Sequence, residues 1–279
     1  MRVLCTFPGR NGDVIWQLPL LRAISRRIGQ PVDLQIAGEF APIAELLRLQ
    51  PYLGMVRVDP DWPIEHRMPP THHLDWGYDA TIHLGYRGWP LPDLVRHTLE
   101  TCGQQRWSVV AEVFENRPVT WEELDLSTPW ITNLPAHSYR PPFVVGFSET
   151  HFELKYGLVE LLQRKPHFYT ARVLPPMVIG ASNPRWEQEA GYAPTSWIES
   201  AQWIANAPVF LGCCSALHVL AVAIGTPVIL MEPMESRHNP IFYPLGMAGP
   251  QVRMVLGNDG KPTHDARHVR DALREGIRG

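Results

Sequence analysis

The chain has 279 residues, 45% of them hydrophobic and 19% charged, with a formal net charge of −3 and a sequence pI near 6.5. That length suits two small domains, and the composition is that of an ordinary soluble globular protein. The acidic balance provides no overall electrostatic footprint for nucleic acid and so disfavours it as a partner.

Strand and helix patterns alternate from the start, as expected of βαβ units and a mainly parallel sheet. Arg2 to Phe7 is a short apolar run closed by Pro8 and Gly9, and reads as a buried first strand. From Val14 apolar residues recur at Leu18, Leu21 and Ile28, and Gly29 ends this helical period. Pro19 lies inside it, so the helix either begins near there or has kinked first turns. Pro31 to Ala37 is the second strand, Pro42 to Leu49 a helix and Met55 to Val58 the third strand. Between Asp59 and Tyr78 the chain is rich in proline, histidine and tryptophan without a period, which reads as a long loop. Ala80 to Leu84 is a further strand and Leu94 to Cys102 a helix stopped by Gly103.

Pro118, Pro129, Pro135, Pro141 and Pro142 then punctuate a stiff connecting region. The expected boundary lies near 139–142, which divides the chain into domains 1–140 and 141–279. The alternation restarts with a strand at Phe143 to Phe147, a helix at Leu154 to Arg164 and a strand at Met177 to Ile179. A helix follows over Trp197 to Ala205. The clearest unit comes next: strand Val209 to Leu211, turn Gly212 to Cys214, helix Ser215 to Ile224, terminator Gly225 and strand Pro227 to Met231. An amphipathic helix from His264 to Ile277 closes the series. Cys5, Cys102, Cys213 and Cys214 form no C-x-x-C pair and read as thiols of a reducing cytoplasm. The apolar start, cut by Pro8 and Gly9, is shorter than a signal peptide or a membrane span. The expectation is a cytoplasmic protein without a membrane span.

In open parallel sheets ligands bind at the carboxyl ends of strands, and two segments stand there. The first runs from Phe7 to Asp13, between strand one and helix one. Its two glycines permit a close backbone approach, and Asp13 is either a general base for a nucleophilic hydroxyl or a helix cap. The second is Gly212-Cys213-Cys214-Ser215-Ala216. Small residues at a helix start free backbone N–H groups for phosphate oxygens, although an ordinary βα turn capped by Ser215 has the same spacing. Ser148, Thr150 and Lys155 follow the first strand of the second half, with chemistry suited to a diphosphate. Glu232 and Arg237 follow its later strand, where a carboxylate can accept from ribose hydroxyls and a guanidinium can pair with phosphate. A lone lysine is more often just solvated, and Glu232 and Arg237 can equally neutralise each other.

No H-E-x-x-H, zinc-spaced Cys/His set, G-x-x-x-x-G-K-[ST] loop, strand-one G-x-G-x-x-G or Gly-x-Ser-x-Gly occurs. Asp59-Pro60-Asp61 offers oxygen ligands after a strand, but a plain proline turn explains it better. His72-His73 lacks a third ligand.

Asn11-Gly12-Asp13-Val14-Ile15-Trp16-Gln17-Leu18-Pro19-Leu20-Leu21-Arg22-Ala23-Ile24 resembles the opening Gly-Asp-Val…Pro-x-Leu-Arg-Ala-Leu segment of the ADP-heptose:lipopolysaccharide heptosyltransferases, glycosyltransferase family 9. Phe210 to His218, continuing through Ala223-Ile224-Gly225-Thr226-Pro227-Val228, resembles their second signature. That signature runs from a strand into Asp-[Ser/Thr]-Gly, a histidine, an alanine-rich helix and Gly-Thr-Pro. Cys214 stands at the place of its aspartate and Ala216 at that of its glycine, with His218 one position off its histidine.

The resemblance implies an α/β GT-B fold, two Rossmann-like domains with mainly parallel sheets facing a cleft. It implies inverting sugar transfer from a nucleoside-diphosphate sugar to a hydroxyl acceptor, without a metal or other cofactor, with Asp13 as general base. Donor contacts would come from Gly12, Ser148, Thr150, Lys155, Cys214, Ser215, Ala216, Glu232 and Arg237. Acceptor contacts would come from Arg10, Asn11, Trp16, Tyr86 and Arg87. The acceptor itself is open: a glycan, a small molecule or modified DNA.

Cys214 also allows a catalytically silent nucleotide- or glycan-binding module. A transferase acting on modified bases of viral DNA would use Arg10, Arg87, Trp16, Trp62 and Trp89 to contact backbone and bases. A UDP-sugar epimerase would need a second acid/base pair, and none is evident.

Overall fold

The structure is a computed structural model, and it describes residues 1–62, 77–84, 114, 119–138, 140–141, 143–146, 177–180, 192–212, 215–231, 252–260, 263 and 265–278. These fall into two compact units, one carrying Met1–Asn133 and the other beginning at Leu134. No helix among the described residues is long and apolar enough to cross a membrane.

The first unit is built on a parallel sheet of β1 (Val3–Phe7), β2 (Val32–Ala37), β3 (Leu53–Asp59) and β4 (Ala80–His83), in the order β3-β2-β1-β4. Strand β1 is buried along its whole length, as its run VLCTF requires. Cys5 and Phe7 share one face of the sheet with Leu34 and Ile36, their register partners on β2. Burial pushes the Cys5 thiol far up, and nearby Asp33 adds to this, so it stays protonated.

Helix α1 (Asn11–Ile28) connects β1 to β2 and ends at Gly29, whose φ of 71° is the left-handed cap that glycine adopts without strain. It begins three residues before the expected Val14 and carries Pro19 inside it without ending there. The consequence is functional: Asn11, Gly12 and Asp13 form a first helical turn where a loop was expected. A 3-10 turn (Gly38–Ile43) and α2 (Ala44–Arg48) lead into β3.

A short helix, α3 (Trp121–Leu124), was not foreseen. Basic residues of α1 hold it. Arg27 donates to both carboxylate oxygens of Glu123, at 2.8 and 2.6 Å. Arg26 reaches Asp125 at 3.2 Å. The buried Arg22 donates to the carbonyls of Leu124, Asp125 and Pro129 at 3.0, 2.6 and 2.9 Å. The Tyr52 hydroxyl donates to the Trp130 carbonyl, and the Thr132 amide donates to Gln50 Oε1 at 2.8 Å. The division comes at Asn133, with φ at 54°. Beyond it Gln202 donates to the Pro135 carbonyl at 3.0 Å, and the His137 ring lies 4.6 Å from that of Trp203.

The second unit holds β5 (Val144–Gly146), β6 (Met177–Gly180), β7 (Tyr192–Pro194), β8 (Phe210–Gly212), β9 (Val228–Leu230) and β10 (Val252–Met254). All are parallel, in the order β10-β9-β8-β5-β6-β7. From β5 the chain adds β6 and β7 on one side, then returns to add β8, β9 and β10 on the other. This is a doubly wound order, with the two halves of the sheet growing outward from β5 and β8. Helix α4 (Trp197–Asn206) starts in a capping box of Ser196 and Glu199. Helix α5 (Ala216–Ile224) connects β8 to β9, and α6 (Ala266–Arg278) buries Val269 and Leu273 against Val209, Leu211 and Ile229. The expected helices at 94–102 and 154–164 lie outside the described residues, as does the loop 63–76.

Candidate functional site

In the first sheet β1 pairs with β2 on one side and β4 on the other, so the strand order reverses at β1. Ligands of open parallel sheets bind beyond such a point, at the carboxyl end of the strand. Pro8-Gly9-Arg10 and the first turn of α1 occupy that end of β1. Arg10 is exposed, while Asn11, Gly12 and Asp13 are half-buried. Asp13 Oδ2 accepts from the Arg10 backbone N–H at 3.1 Å, so the carboxylate closes back over the helix start. The capping reading of Asp13 is the one this contact carries. It caps the helix and remains at the surface of the switch point. The Oδ1 atom of Asn11 is enclosed without a hydrogen-bond partner among the described residues.

Gln17 is a supporting residue of this first turn that carries no motif of its own. It is buried, and its Nε2 donates to the Asp13 carbonyl at 3.2 Å, bracing the first turn from one turn further along. Only its polarity on a buried helix face gave a signal. Trp16 is 6% exposed, with its ring 6.1 Å from that of Trp130. Its aromatic face is used within the unit.

In the second sheet the order reverses between β5 and β8. Their last residues, Gly146 and Gly212, are register partners. A Cβ at Gly212 would lie 2.9 Å from both the Gly146 carbonyl oxygen and the Phe210 ring, so these strand ends are glycine because Phe210 packs over them. Ser215 then caps α5: its Oγ accepts from the His218 N–H at 3.3 Å. Ala216 and Leu217 occupy the first turn, whose N–H groups precede any intrahelical acceptor. His218 is buried, and burial pushes its imidazole down to about 4, so it is neutral at ordinary pH.

The remainder of the second motif is structural. Gly225 takes a φ of 88° to end α5. The buried Thr226 hydroxyl donates to the Ile204 carbonyl at the end of α4, 3.0 Å away. The Pro227 carbonyl accepts from the Phe210 N–H at 2.8 Å, starting β9 beside β8. Ser148, Thr150, Lys155, Cys214, Glu232, Arg237, Tyr86 and Arg87 lie outside the described residues. The Asp59-Pro60-Asp61 segment is a turn: Asp59 Oδ1 accepts from the Asp61 N–H at 3.1 Å and Oδ2 from Gln35 at 2.9 Å. No metal-ligand cluster of His, Cys, Asp or Glu occurs among the described residues.

No protein-family model matches the sequence, and no curated protein matches it. Solved structures do match the fold. The E. coli heptosyltransferase WaaC with ADP-2-deoxy-2-fluoro heptose superposes with a TM-score of 0.59 at 14% identity, covering 99% of each chain. The E. coli ADP-heptose lps heptosyltransferase II gives a TM-score of 0.59 at 16% identity, covering 99% of this chain and 98% of that one. This chain has the heptosyltransferase-like GT-B fold. A glycosyl transferase family 9 protein from Veillonella parvula has the same fold, with a TM-score of 0.53 at 10% identity over 99% and 97% of the two chains. Arg22 and Gly225-Thr226-Pro227 of the two motifs hold the fold, while Asp13 and Ser215, both half-buried, lie at the starts of α1 and α5.

Proposed function

We propose that this chain is a glycosyltransferase that moves a sugar from a nucleoside-diphosphate sugar to a hydroxyl acceptor, with inversion and without a metal. The acceptor oxygen attacks the anomeric carbon, the bond from that carbon to the diphosphate oxygen breaks, and Asp13 takes the hydroxyl proton. The nucleoside diphosphate leaves with the bonding electron pair. The observation that carries this reading is Asp13 itself: a half-buried carboxylate at the carboxyl end of β1, at the point where the strand order reverses.

The donor diphosphate would rest on the N-terminus of α5, where free N–H groups, the helix dipole and the Ser215 hydroxyl oppose the departing negative charge. Gly12, Ser148, Thr150, Lys155, Cys214, Glu232 and Arg237 complete the proposed donor set. Arg10, Asn11, Tyr86 and Arg87 form the proposed acceptor set, from which the buried Trp16 is left out. WaaC is seen with an ADP-sugar analogue, which makes ADP-sugars the first donors to try.

The test is transfer or slow hydrolysis of a panel of nucleoside-diphosphate sugars by the wild-type chain and by Asp13→Asn. Loss of roughly 10²–10⁴-fold in rate is expected for the variant, the range of general-base catalysis. An Asp13→Asn chain as fast as wild type would remove Asp13 from the mechanism. A wild-type chain inert towards every donor would leave the silent binding module, as the cysteine at position 214 suggests.

A further inference from the structure

We draw no further inference here: the strongest candidate, the buried polar side-chain cluster of Thr6, Gln35 and Asp59 on one face of the first sheet, leaves Gln35 Oε1 without a hydrogen-bond partner, but nothing in the structure shows what covers that face.

Discussion

A carboxylate three positions into a helix that reaches back to the amide before it stabilises that helix whether or not it also takes protons. For Asp13 the two roles separate by choice of replacement. Asparagine keeps a side-chain oxygen for the Arg10 N–H, whereas alanine removes it. Asp13→Asn is therefore expected to unfold within a few tenths of a kcal/mol of wild type, and Asp13→Ala about 1 kcal/mol earlier, by the usual cost of a lost cap. Urea unfolding of both, set beside their transfer rates, tells base from cap. If only Asp13→Ala loses activity, the residue is a cap. His218 raises a different question at the same scale. Its imidazole takes a proton near pH 6.5 in the unfolded chain but only near 4 in the fold, because burial disfavours the charge. Between those values the unfolded chain holds more protons, so stability is full above the window and falls as pH drops through it. Complete loss amounts to about 3 kcal/mol. A His218→Gln chain should show a flatter decline between pH 6.5 and 4 in denaturant titrations. An unchanged slope would mean that other groups set the acid limit.

At the scale of elements, Arg22 of the first motif and Thr226 of the second join one element to another. Arg22 lies within α1, buried, with donors to the carbonyls of Leu124, Asp125 and Pro129. Burial lowers its pKa and Arg26 adds to this, while Asp125 and Tyr52 act the other way. Methionine in its place would fill similar volume but leave those carbonyls without a donor, at about 3–5 kcal/mol in all. Lysine recovers only part, since an ammonium cannot span the same fork. A thermal melt in which Arg22→Met matches wild type would mean that the carbonyls find other donors. Thr226 plays the equivalent part between α4 and α5. Thr226→Val keeps the shape and deletes the donor to Ile204, with an expected cost of about 1–3 kcal/mol and no change in substrate affinity. A Thr226→Val chain that kept its stability but lost nucleotide affinity would give this threonine a role in binding. Some joints left little trace in the sequence. α3 has four residues, and β7 (YAP) and β10 (VRM) are three-residue strands without the continuous apolar run that marks the equally short β9 (VIL). Pro19 hid the start of α1, because a missing N–H usually marks a helix beginning and here stands inside one.

Across the whole molecule, the legible part was the alternation of short apolar strands with helices, which dictates parallel sheets and puts loops at the carboxyl ends of β1 and β8. Where the two candidate segments fall came from that alone. What each side chain does there did not, because partners come from distant segments: Trp16 faces inward on account of Trp130, and Gly212 owes its identity to Phe210 and to Gly146 on the next strand. The donor reading therefore has to be tested on the intact chain. A ligand that binds only the folded state raises its stability by RT ln(1 + [L]/Kd), about 2.7 kcal/mol at a hundred times Kd, or several degrees of melting temperature. ADP, UDP, GDP, CDP and TDP at millimolar concentration, with their sugar conjugates, form the screen. Ser215→Trp is the control, since a bulky indole at the α5 cap would block the proposed diphosphate position while lying outside the core. One nucleotide raising the melting temperature of wild type but not of Ser215→Trp is the expected result, and it would name the donor's base. Equal shifts in both chains would move the nucleotide away from α5. No shift with any of them would overturn the donor site and leave the heptosyltransferase-like fold serving a different ligand.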